Sequence, residues 1–475
     1  MLFAITLSSY KYIMIIKAPT HIVVPHPEAY LVGGSVRDLI RGRSPLDYDI
    51  VVGQDPEIYA AKLAKQLKAR VISLGKEPFT VYRVVAGNTS VDVAAMHAPG
   101  IEADLEARDF TINALACHLD SGRILDPTGG LHDLRHRVVR MVSSRAFAAD
   151  PLRLLRAFRM AVTLDYDIEP GTLEVIAQRS AEIRKSAGER VLAELHKILA
   201  SADSHRWLVQ MASAGLLTAI FPELKPLQTC RQHNQHAEDL FSHTLQAFHQ
   251  MECLLSRPEE VTAKETTRFI SALKQHQRVL LKLAILLHDI GKPQSRTIDA
   301  TGKTHFCGHA KKSAALLPAI CRRLRMSNHD RDWLTFIIGQ HQRPLDLILS
   351  ADKSTGQISS RALGRFFRQC GSHAPALLLH AMADNLGKQR AQSLNQGAMG
   401  PSITALMETY FTRIQTRIAQ PLINGSDLIR HFGLVPSPRF GSILEQIQEA
   451  CLAGSIQNRD QALKRVADII NTQGP

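Results

Sequence analysis

Residues 31–52, LVGGSVRDLIRGRSPLDYDIVV, contain the pattern that predicts the fold of the N-terminal part of the chain. An apolar run reaches Gly33 and Gly34 and continues into a helix-forming segment, which predicts a strand, a glycine turn and a helix. Asp47 and Asp49 then open a second β-rich run. Because alternate residues of a strand point to the same face, these two carboxylates should project side by side.

Two carboxylates held side by side repel each other, and a divalent metal would remove that repulsion. Mg²⁺ bound by Asp47 and Asp49 would hold a triphosphate, activate an attacking hydroxyl and neutralise the leaving pyrophosphate. Asp92, on a later β-rich run, could complete the cluster, and the N–H groups of the Gly33–Gly34 turn could bind a phosphate. A solvated turn explains most D-x-D patterns, and a tight turn explains most glycine pairs. Together, in this order, the three features favour nucleotidyl transfer.

The periodicity of the remaining sequence predicts an α+β protein. Short β-rich runs and a helix over 56–69 occupy the first part, with strands at 30–32, 49–52, 81–86 and 91–93. Beyond about residue 146 the β-rich runs fade and apolar residues recur at helical spacing. We predict a small head of mixed sheet and helices followed by all-α regions. The predicted parts are an N-terminal extension 1–29, a head 30–145, a helical neck 146–220, a helical body 221–400 and a C-terminal helical tail 401–475.

Composition limits the cellular setting and the partners. The 475 residues carry a net charge of +13, which favours a polyanionic partner. The seven cysteines are scattered and form no C-x-x-C pair, so we expect free thiols in a reducing compartment. No stretch approaches the ~18 consecutive apolar residues of a membrane span. The N-terminus does not read as a signal peptide, and we expect a cytoplasmic protein with no membrane contact.

The opening motif resembles the metal-binding motif of the class II tRNA nucleotidyltransferase and poly(A) polymerase family, bacterial type, in the polymerase β superfamily. Later segments resemble further family motifs in the same order: RDFTINAL at 108–115, DPTGGLHDL at 126–134, DPLRLLRAFR at 150–159 and GER at 188–190. Ala107 and Ala149 stand where the family usually has Arg and Glu. The resemblance implies a polymerase-β-like head, Mg²⁺, the substrates CTP and ATP, and the 3′ end of tRNA as partner, with no obligate protein partner.

The resemblance also assigns roles to individual residues. It implies catalytic carboxylates at Asp47, Asp49 and Asp92. It implies nucleotide contacts at Gly33, Gly34, Ser35, Arg37, Arg108, Asp109, Asn113, Asp150, Arg153, Arg156 and Arg159. Asp150 and Arg153 would select the base without a template, because an acceptor beside a donor suits C and A and mismatches U and G. A solvated basic stripe is the alternative reading of the three neck arginines.

The helical body carries a second set of polar residues whose order resembles the HD phosphohydrolase superfamily. The resemblance implies that one metal is held by His243, His288, Asp289 and Asp384, with Asp289 able to bridge, and a second by His309 and His341. Imidazole and carboxylate ligands suit Mn, Fe, Ni, Co or Zn. Such a centre would hydrolyse phosphomonoesters or cyclic phosphodiesters. The alternative is a helical body whose metal centre has decayed or that serves only to support RNA binding.

These patterns favour a tRNA nucleotidyltransferase that adds C and/or A of the 3′-terminal CCA by two-metal transfer. Only fifteen residues, Val93 to Ala107, separate the Asp92 strand from Arg108. That short segment resembles family members that add only part of the triplet. The alternatives are a poly(A) polymerase, a metal-dependent phosphohydrolase with a nucleotide-binding head, and a non-catalytic RNA-binding protein.

Overall fold

The computed structural model describes residues 5–6, 13–16, 18–45, 47–76, 80–96, 98–230, 239–260, 264–352, 357–388 and 399–473. The chain forms two compact units. The first comprises Met1–Ile198 and Met211–Ile220, and the second comprises Leu199–Gln210 and Phe221–Pro475.

The first unit is built on a mixed sheet that has seven strands within the described residues. In chain order the strands are Ala29–Val32 (β1), Asp47–Val52 (β2), Arg70–Leu74 (β3), Val81–Ala86 (β4), Thr89–Ala95 (β5), Ala116–His118 (β6) and Ile124–Leu125 (β7). Their order across the sheet is β3-β4-β5-β2-β1-β6-β7. Only β2 and β5 pair in parallel, while the other neighbours are antiparallel.

Helices surround this sheet and form the rest of the unit. They are Gly34–Ile40 (α1), Pro56–Leu67 (α2), Ile101–Glu106 (α3), Gly130–His136 (α4), Ser144–Ala149 (α5), Arg153–Leu164 (α6), Pro170–Arg179 (α7), Gly188–Leu199 (α8), His205–Ser213 (α9), of which only residues 211–213 belong to this unit, and Leu216–Ile220 (α10). Four further two-residue strands lie at Ile5–Thr6, Ile13–Met14, Val138–Val139 and Asp167–Ile168. Short 3₁₀ turns occur at Thr20–Ile22, Thr111–Asn113 and Ser180–Lys185.

The second unit is almost entirely helical. Its first helices are Leu240–Ser256 (α11), Lys264–Ala272 (α12), Gln275–Leu287 (α13), Lys292–Ser295 (α14), His309–Arg323 (α15), Asn328–Gln340 (α16), Arg343–Leu349 (α17), Ser360–Cys370 (α18) and Ala374–Lys388 (α19). The chain continues through Met399–Thr409 (α20), a π-helical turn Tyr410–Ile414, Gln415–Ala419 (α21), Gly425–Phe432 (α22), Pro438–Ala453 (α23) and Arg459–Gln473 (α24). 3₁₀ segments lie at Pro222–Thr229, Pro258–Glu260 and Gly371–His373, and a hairpin joins Thr297–Ile298 to Thr304–His305.

This architecture confirms the predicted α+β class. The strand at Arg70–Leu74 was not predicted from the sequence, because all five of its side chains are exposed and burial does not alternate along it. The predicted helix over 56–69 ends at Leu67, where Lys68 takes a left-handed conformation. Among the described residues, no helix is both long and apolar enough to cross a membrane.

The core of the second unit forms where α13 packs between α11, α16 and α19. The apolar run of α13 is buried on all sides, and one charged residue, Lys282, is buried with it. Its Nζ lies 2.6 Å from Oε1 of Glu252, and that carboxylate also accepts a 2.6 Å hydrogen bond from the Ser204 hydroxyl. Burial lowers the pKa of Lys282, while Glu252 opposes that shift. The pair therefore satisfies two charges that could not be buried separately.

Candidate active site and metal centre

The parallel pairing of β2 with β5 brings three carboxylates to one end of the sheet. Asp49 lies in register with Asp92, and Asp47 lies in register with Ser90. The Ser90 hydroxyl donates a 2.5 Å hydrogen bond to Oδ1 of Asp47. Along β2 the side chains alternate between exposed and buried at the first four positions, so Asp47 and Asp49 share the open face as the sequence pattern predicted.

The electrostatics of this cluster suit a divalent cation. Burial raises the pKa of Asp49, and the nearby carboxylates of Asp92 and Asp47 raise it further, against the opposing effect of Arg108. Asp92 is partly neutralised by Arg83, which donates two 2.7 Å hydrogen bonds to it. The repulsion at Asp49 would be relieved by an oxygen-ligated ion such as Mg²⁺, and the donor set therefore fits that metal.

The glycine turn lies directly against this cluster. Gly33 has a φ of 72°, and a Cβ added there would lie 3.1 Å from Nη1 of Arg108 and 3.7 Å from Oδ2 of Asp49. Any larger residue would be strained in its backbone and would crowd both groups. Ser35 ties the turn to β2, because its hydroxyl accepts a 3.1 Å hydrogen bond from the Asp49 N–H and lies 3.4 Å from the Asp47 carbonyl oxygen as a donor.

Four of the predicted nucleotide-binding residues form a connected network. Nη1 of Arg37 donates to Oδ1 of Asn113 at 2.6 Å, and Nδ2 of Asn113 donates to Oδ1 of Asp109 at 3.1 Å. Arg156 completes the network with an ion pair of 2.9 Å to Oδ2 of Asp109. Arg108 instead pairs with Asp104 at 3.2 Å. The network therefore presents a fixed set of donors and acceptors beside the glycine turn.

Asp150 and Arg153, which were predicted to select the base together, bind different partners in the structure. Asp150 pairs with Arg190 at 2.8 Å, whereas Nη1 of Arg153 donates to the carbonyl oxygens of Ala107 and Ala146 at 3.1 and 3.3 Å. Burial alone would raise the pKa of Asp150, but hydrogen bonding and charge from Arg190 hold it below its ordinary value. Asp150 is therefore an ionised acceptor, and Arg190 is a partner that the sequence reading did not identify.

The neck arginines are not a freely solvated stripe. Arg159 pairs with Glu194 at 2.6 Å, and Arg156 pairs with Asp109. Burial lowers the pKa of Arg159, and the charge of Glu194 opposes that effect. These contacts hold α6 in a defined position next to the network that contains Asn113.

In the second unit, the six residues predicted for a metal centre come together from five segments of chain. His243 lies 2.9 Å from Oδ1 of Asp384, and His288 lies 3.1 Å from Oδ2 of Asp289. His309 lies 3.2 Å from Oδ1 of Asp289 and 3.2 Å from His341, both measured to its Nε2. Two groups have ligand atoms close enough to share an ion: His243 with His288 and Asp384, and His288 with Asp289 and His341.

The histidines of this centre are oriented by the backbone. Nδ1 of His288, His309 and His341 each faces the carbonyl oxygen three residues earlier, at 2.8, 2.8 and 2.7 Å, which leaves Nε2 facing inward. Such contacts fix the ring orientation that a metal ligand needs. Nε2 of His288 and both carboxylate oxygens of Asp289 are buried without an aligned hydrogen bond among the described residues. Imidazole nitrogens and carboxylate oxygens that converge in this way fit a transition-metal ion.

The charge balance of the centre also fits a cation. Burial would lower the pKa of His288, but the carboxylates of Asp289 and Asp384 raise it to about 9. Burial and neighbouring imidazoles lower the pKa of His341. The carboxylates therefore create a site that attracts positive charge, and a metal would take the place of a proton.

Three residues at this centre were missed by sequence reasoning. Lys292 lies 2.6 Å from Asp289, and Lys388 lies 2.6 Å from Asp384. His380 is fully buried with its ring centroid 5.3 Å from that of His288. A signal for Lys388 was present, because it follows Asp384 by four residues within α19, a spacing that places both on one helix face.

Family models match successive parts of the chain. The Poly A polymerase head domain matches residues 29–140, and a probable RNA- and SrmB-binding site of polymerase A matches 165–228. The HD domain matches 240–361, and tRNA nucleotidyltransferase domain 2 matches 387–467. The head fold and its carboxylate cluster define a nucleotidyltransferase.

Relatives extend the match over almost the whole chain. An A-adding tRNA nucleotidyltransferase of Deinococcus radiodurans is 33% identical over 444 residues, covering 92% of this chain and 94% of the relative. A CC-adding tRNA nucleotidyltransferase of Synechocystis sp. is 29% identical and covers 94% and 95% of the two chains. The Thermotoga maritima CCA-adding enzyme complexed with tRNA has the same fold, with a TM-score of 0.64, 21% identity and coverage of 93% and 92%. The chain belongs to the tRNA nucleotidyltransferase family, which confirms the predicted resemblance.

Proposed function

We propose that this protein transfers CMP, AMP or both from CTP and ATP to the 3′ end of tRNA. The observation that carries the proposal is the placement of Asp47, Asp49 and Asp92 at one end of the sheet beside the Gly33 turn. Relatives that span the chain are named as A-adding and CC-adding enzymes. The work would take place in the cytoplasm, where the seven thiols, all free in the structure, stay reduced.

The arrangement assigns a task to each group. Asp47, Asp49 and Asp92 would hold Mg²⁺, which when bound supplies charge neutralisation for the attacking 3′ oxygen and the leaving pyrophosphate. The N–H groups of the turn at Gly34 would bind the triphosphate, and the network through Asn113 would orient the sugar. Catalysis of this kind depends mostly on positioning and electrostatic stabilisation.

Base selection would use Asp150 as the acceptor for the exocyclic amino group of C or A. Its present partner Arg190 lies 2.8 Å away and is half exposed. We infer that Arg190 keeps Asp150 ionised and correctly placed until a base is bound. Arg153, which now donates to the Ala107 and Ala146 carbonyls, would supply the neighbouring donor after a local rearrangement.

We further propose that only part of the CCA triplet is added. Much of the short segment between β5 and Arg108 is the helix Ile101–Glu106, and Arg108 is tied back to Asp104 within it. A segment folded in this way leaves little chain for a long flexible loop of the kind that full CCA-adding members have.

The division of the chain into an N-terminal extension, a head, a neck, a body and a tail remains a prediction.

The decisive experiment measures incorporation of each nucleotide into defined RNAs. The substrates are one tRNA ending before the triplet, the same tRNA ending in C, the same tRNA ending in CC, and an unstructured RNA. Addition of only C residues, or of only the final A, would support a partial enzyme. Repeated AMP addition to unstructured RNA would establish a poly(A) polymerase instead. No incorporation with any substrate would refute the proposal.

A second activity, metal-dependent phosphate-ester hydrolysis, is favoured by the convergence of His243, His288, Asp289 and Asp384 in the second unit. Imidazole and carboxylate ligands would hold an ion of the Mn, Fe, Ni, Co or Zn type, which when bound supplies an activated water. The test is phosphate release from phosphomonoesters and 2′,3′-cyclic nucleotides with each metal. Release that persists in His288→Asn would refute the assignment.

A further inference from the structure

A cavity of about 510 Å³ in the second unit opens onto the predicted metal ligands. Asp289, His309, His341 and Asp384 form part of its lining, and Leu345 and Ile348 contribute an apolar part. Lys292 and Lys388 also line it. A cavity that combines metal ligands, two ammonium groups and an apolar wall suits an anionic ligand with an apolar portion.

The two lysines are held by different carboxylates. Lys388 donates a 2.6 Å hydrogen bond to Oδ2 of Asp384, while the histidines His243 and His288 approach Oδ1 of the same side chain at 2.9 and 3.4 Å. Lys292 lies 2.6 Å from Oδ2 of Asp289, the oxygen that His288 also approaches. An ion bound on the histidine side of Asp384 would therefore leave Lys388 in place, whereas Lys292 competes for the same oxygen.

The ammonium group of Lys388 also has N–H donors that no acceptor among the described residues uses. An ammonium group has three N–H donors, and among the described residues one is used by Asp384. Its side chain is 26% exposed, in contrast to 7% for Lys292, and it lines the cavity. Once a metal neutralises Asp384, the attraction of the carboxylate for the ammonium weakens, and the remaining donors are available to an anion.

We propose that Lys388 is a phosphate-binding residue of this centre, contacting a phosphate oxygen that the metal does not hold. The ligand class is a molecule that ends in a phosphate group. The inference rests on the proposed metal centre of the second unit and is independent of nucleotide transfer by the head. The competing explanation is that Lys388 only neutralises Asp384.

The test uses the full chain carrying Asp49→Asn, so that the metal site of the head does not contribute. Inorganic phosphate is titrated calorimetrically into Mn²⁺-loaded protein, and Mn²⁺ affinity is measured separately by chelator competition. We expect Lys388→Met to weaken phosphate binding by roughly ten- to hundredfold, because a charged hydrogen bond is lost. Mn²⁺ affinity should be unchanged or higher, since Lys388 contacts the oxygen of Asp384 that faces away from the histidines, and the substitution removes only a nearby positive charge. Lys388→Arg should retain most phosphate affinity.

The control is Lys311→Met, which removes the same charge from an exposed position on α15. It should bind both phosphate and Mn²⁺ like the parent protein. Unchanged phosphate affinity in Lys388→Met, with tighter Mn²⁺ binding, would show that the lysine only neutralises Asp384 and would overturn the proposal. Absence of phosphate binding by the Mn²⁺-loaded parent would overturn it as well. Nucleotide incorporation by protein with Asp49 intact reports on the head separately, so the two proposals can fail independently.

Discussion

Replacing Asp49 by Asn should make the protein more stable and almost inactive. The variant keeps the size of the side chain and removes the Asp49 carboxyl group, whose pKa is raised by burial and by the carboxylates of Asp92 and Asp47. Stabilisation of charge by a bound metal is worth several kcal/mol in a transition state, and about 1.4 kcal/mol corresponds to tenfold in rate. We therefore expect incorporation to fall by roughly a thousandfold or more.

The effect on stability has a defined sign and pH dependence. A carboxyl group with a raised pKa disfavours the folded state when it is ionised, but Asp49 lies on the exposed face of β2, where solvent screens its charge. Asn should therefore raise the free energy of unfolding at pH 7 in EDTA by less than about 1 kcal/mol. That gain should shrink as the pH falls through the raised pKa of Asp49 and should vanish below the ordinary carboxyl value of 3.8. Added Mg²⁺ should stabilise the wild-type protein and have less effect on the variant.

The assay combines chemical denaturation at several pH values with single-nucleotide incorporation into tRNA. Asp120→Asn, at an exposed position of the head, should change neither property. Asp92→Asn provides a contrast, because it loses the paired hydrogen bonds from Arg83 and should gain no stability. Retained incorporation by Asp49→Asn, or a lower stability at pH 7 in EDTA, would refute the assignment of this cluster as a metal site.

Three further predictions follow from contacts in the neck and the second unit. Arg190→Ala should reduce the preference for CTP and ATP over UTP and GTP by roughly tenfold, because Asp150 loses its ion-pair partner. The ratio of kcat/KM between the nucleotides measures this preference. An unchanged ratio would contradict the proposed role of the Asp150–Arg190 pair. Lys282→Met should lower the free energy of unfolding by about 3–5 kcal/mol in chemical denaturation, and adding Glu252→Gln should cost little more, since the two charges depend on each other. His288→Asn should abolish metal-dependent phosphate release and leave nucleotide incorporation intact; a loss of both would indicate general misfolding.

The sequence predicted those parts of the site that depend on local geometry. Strand alternation placed Asp47 and Asp49 on one face because that relation involves only neighbouring residues. The register that brings Asp92 beside Asp49 depends on parallel pairing of distant strands, and the sequence could only suggest it through the order of motifs. The fold class and family followed from motifs spread over the chain, which together are far more specific than any one of them.

Pairing between distant side chains could not be predicted in the same way. Asp150 and Arg153 are near neighbours in sequence, yet the guanidinium that reaches Asp150 belongs to Arg190, 40 positions further along the chain. Which of several arginines forms an ion pair with a given carboxylate depends on how the helices pack. The local sequence pattern does not specify that packing. In the second unit, a role for Lys388 can be inferred only from the structure, which places its partner Asp384 among the histidines.

The hydroxyl of Ser35 links the glycine turn to the backbone of β2 at both Asp47 and Asp49. Under the proposed mechanism, a displacement of the glycine turn that changes triphosphate binding would therefore also change the spacing of the two carboxylates. A small inhibitor that separates the turn from the strand would then block the proposed nucleotide transfer without occupying the proposed nucleotide site or binding Mg²⁺.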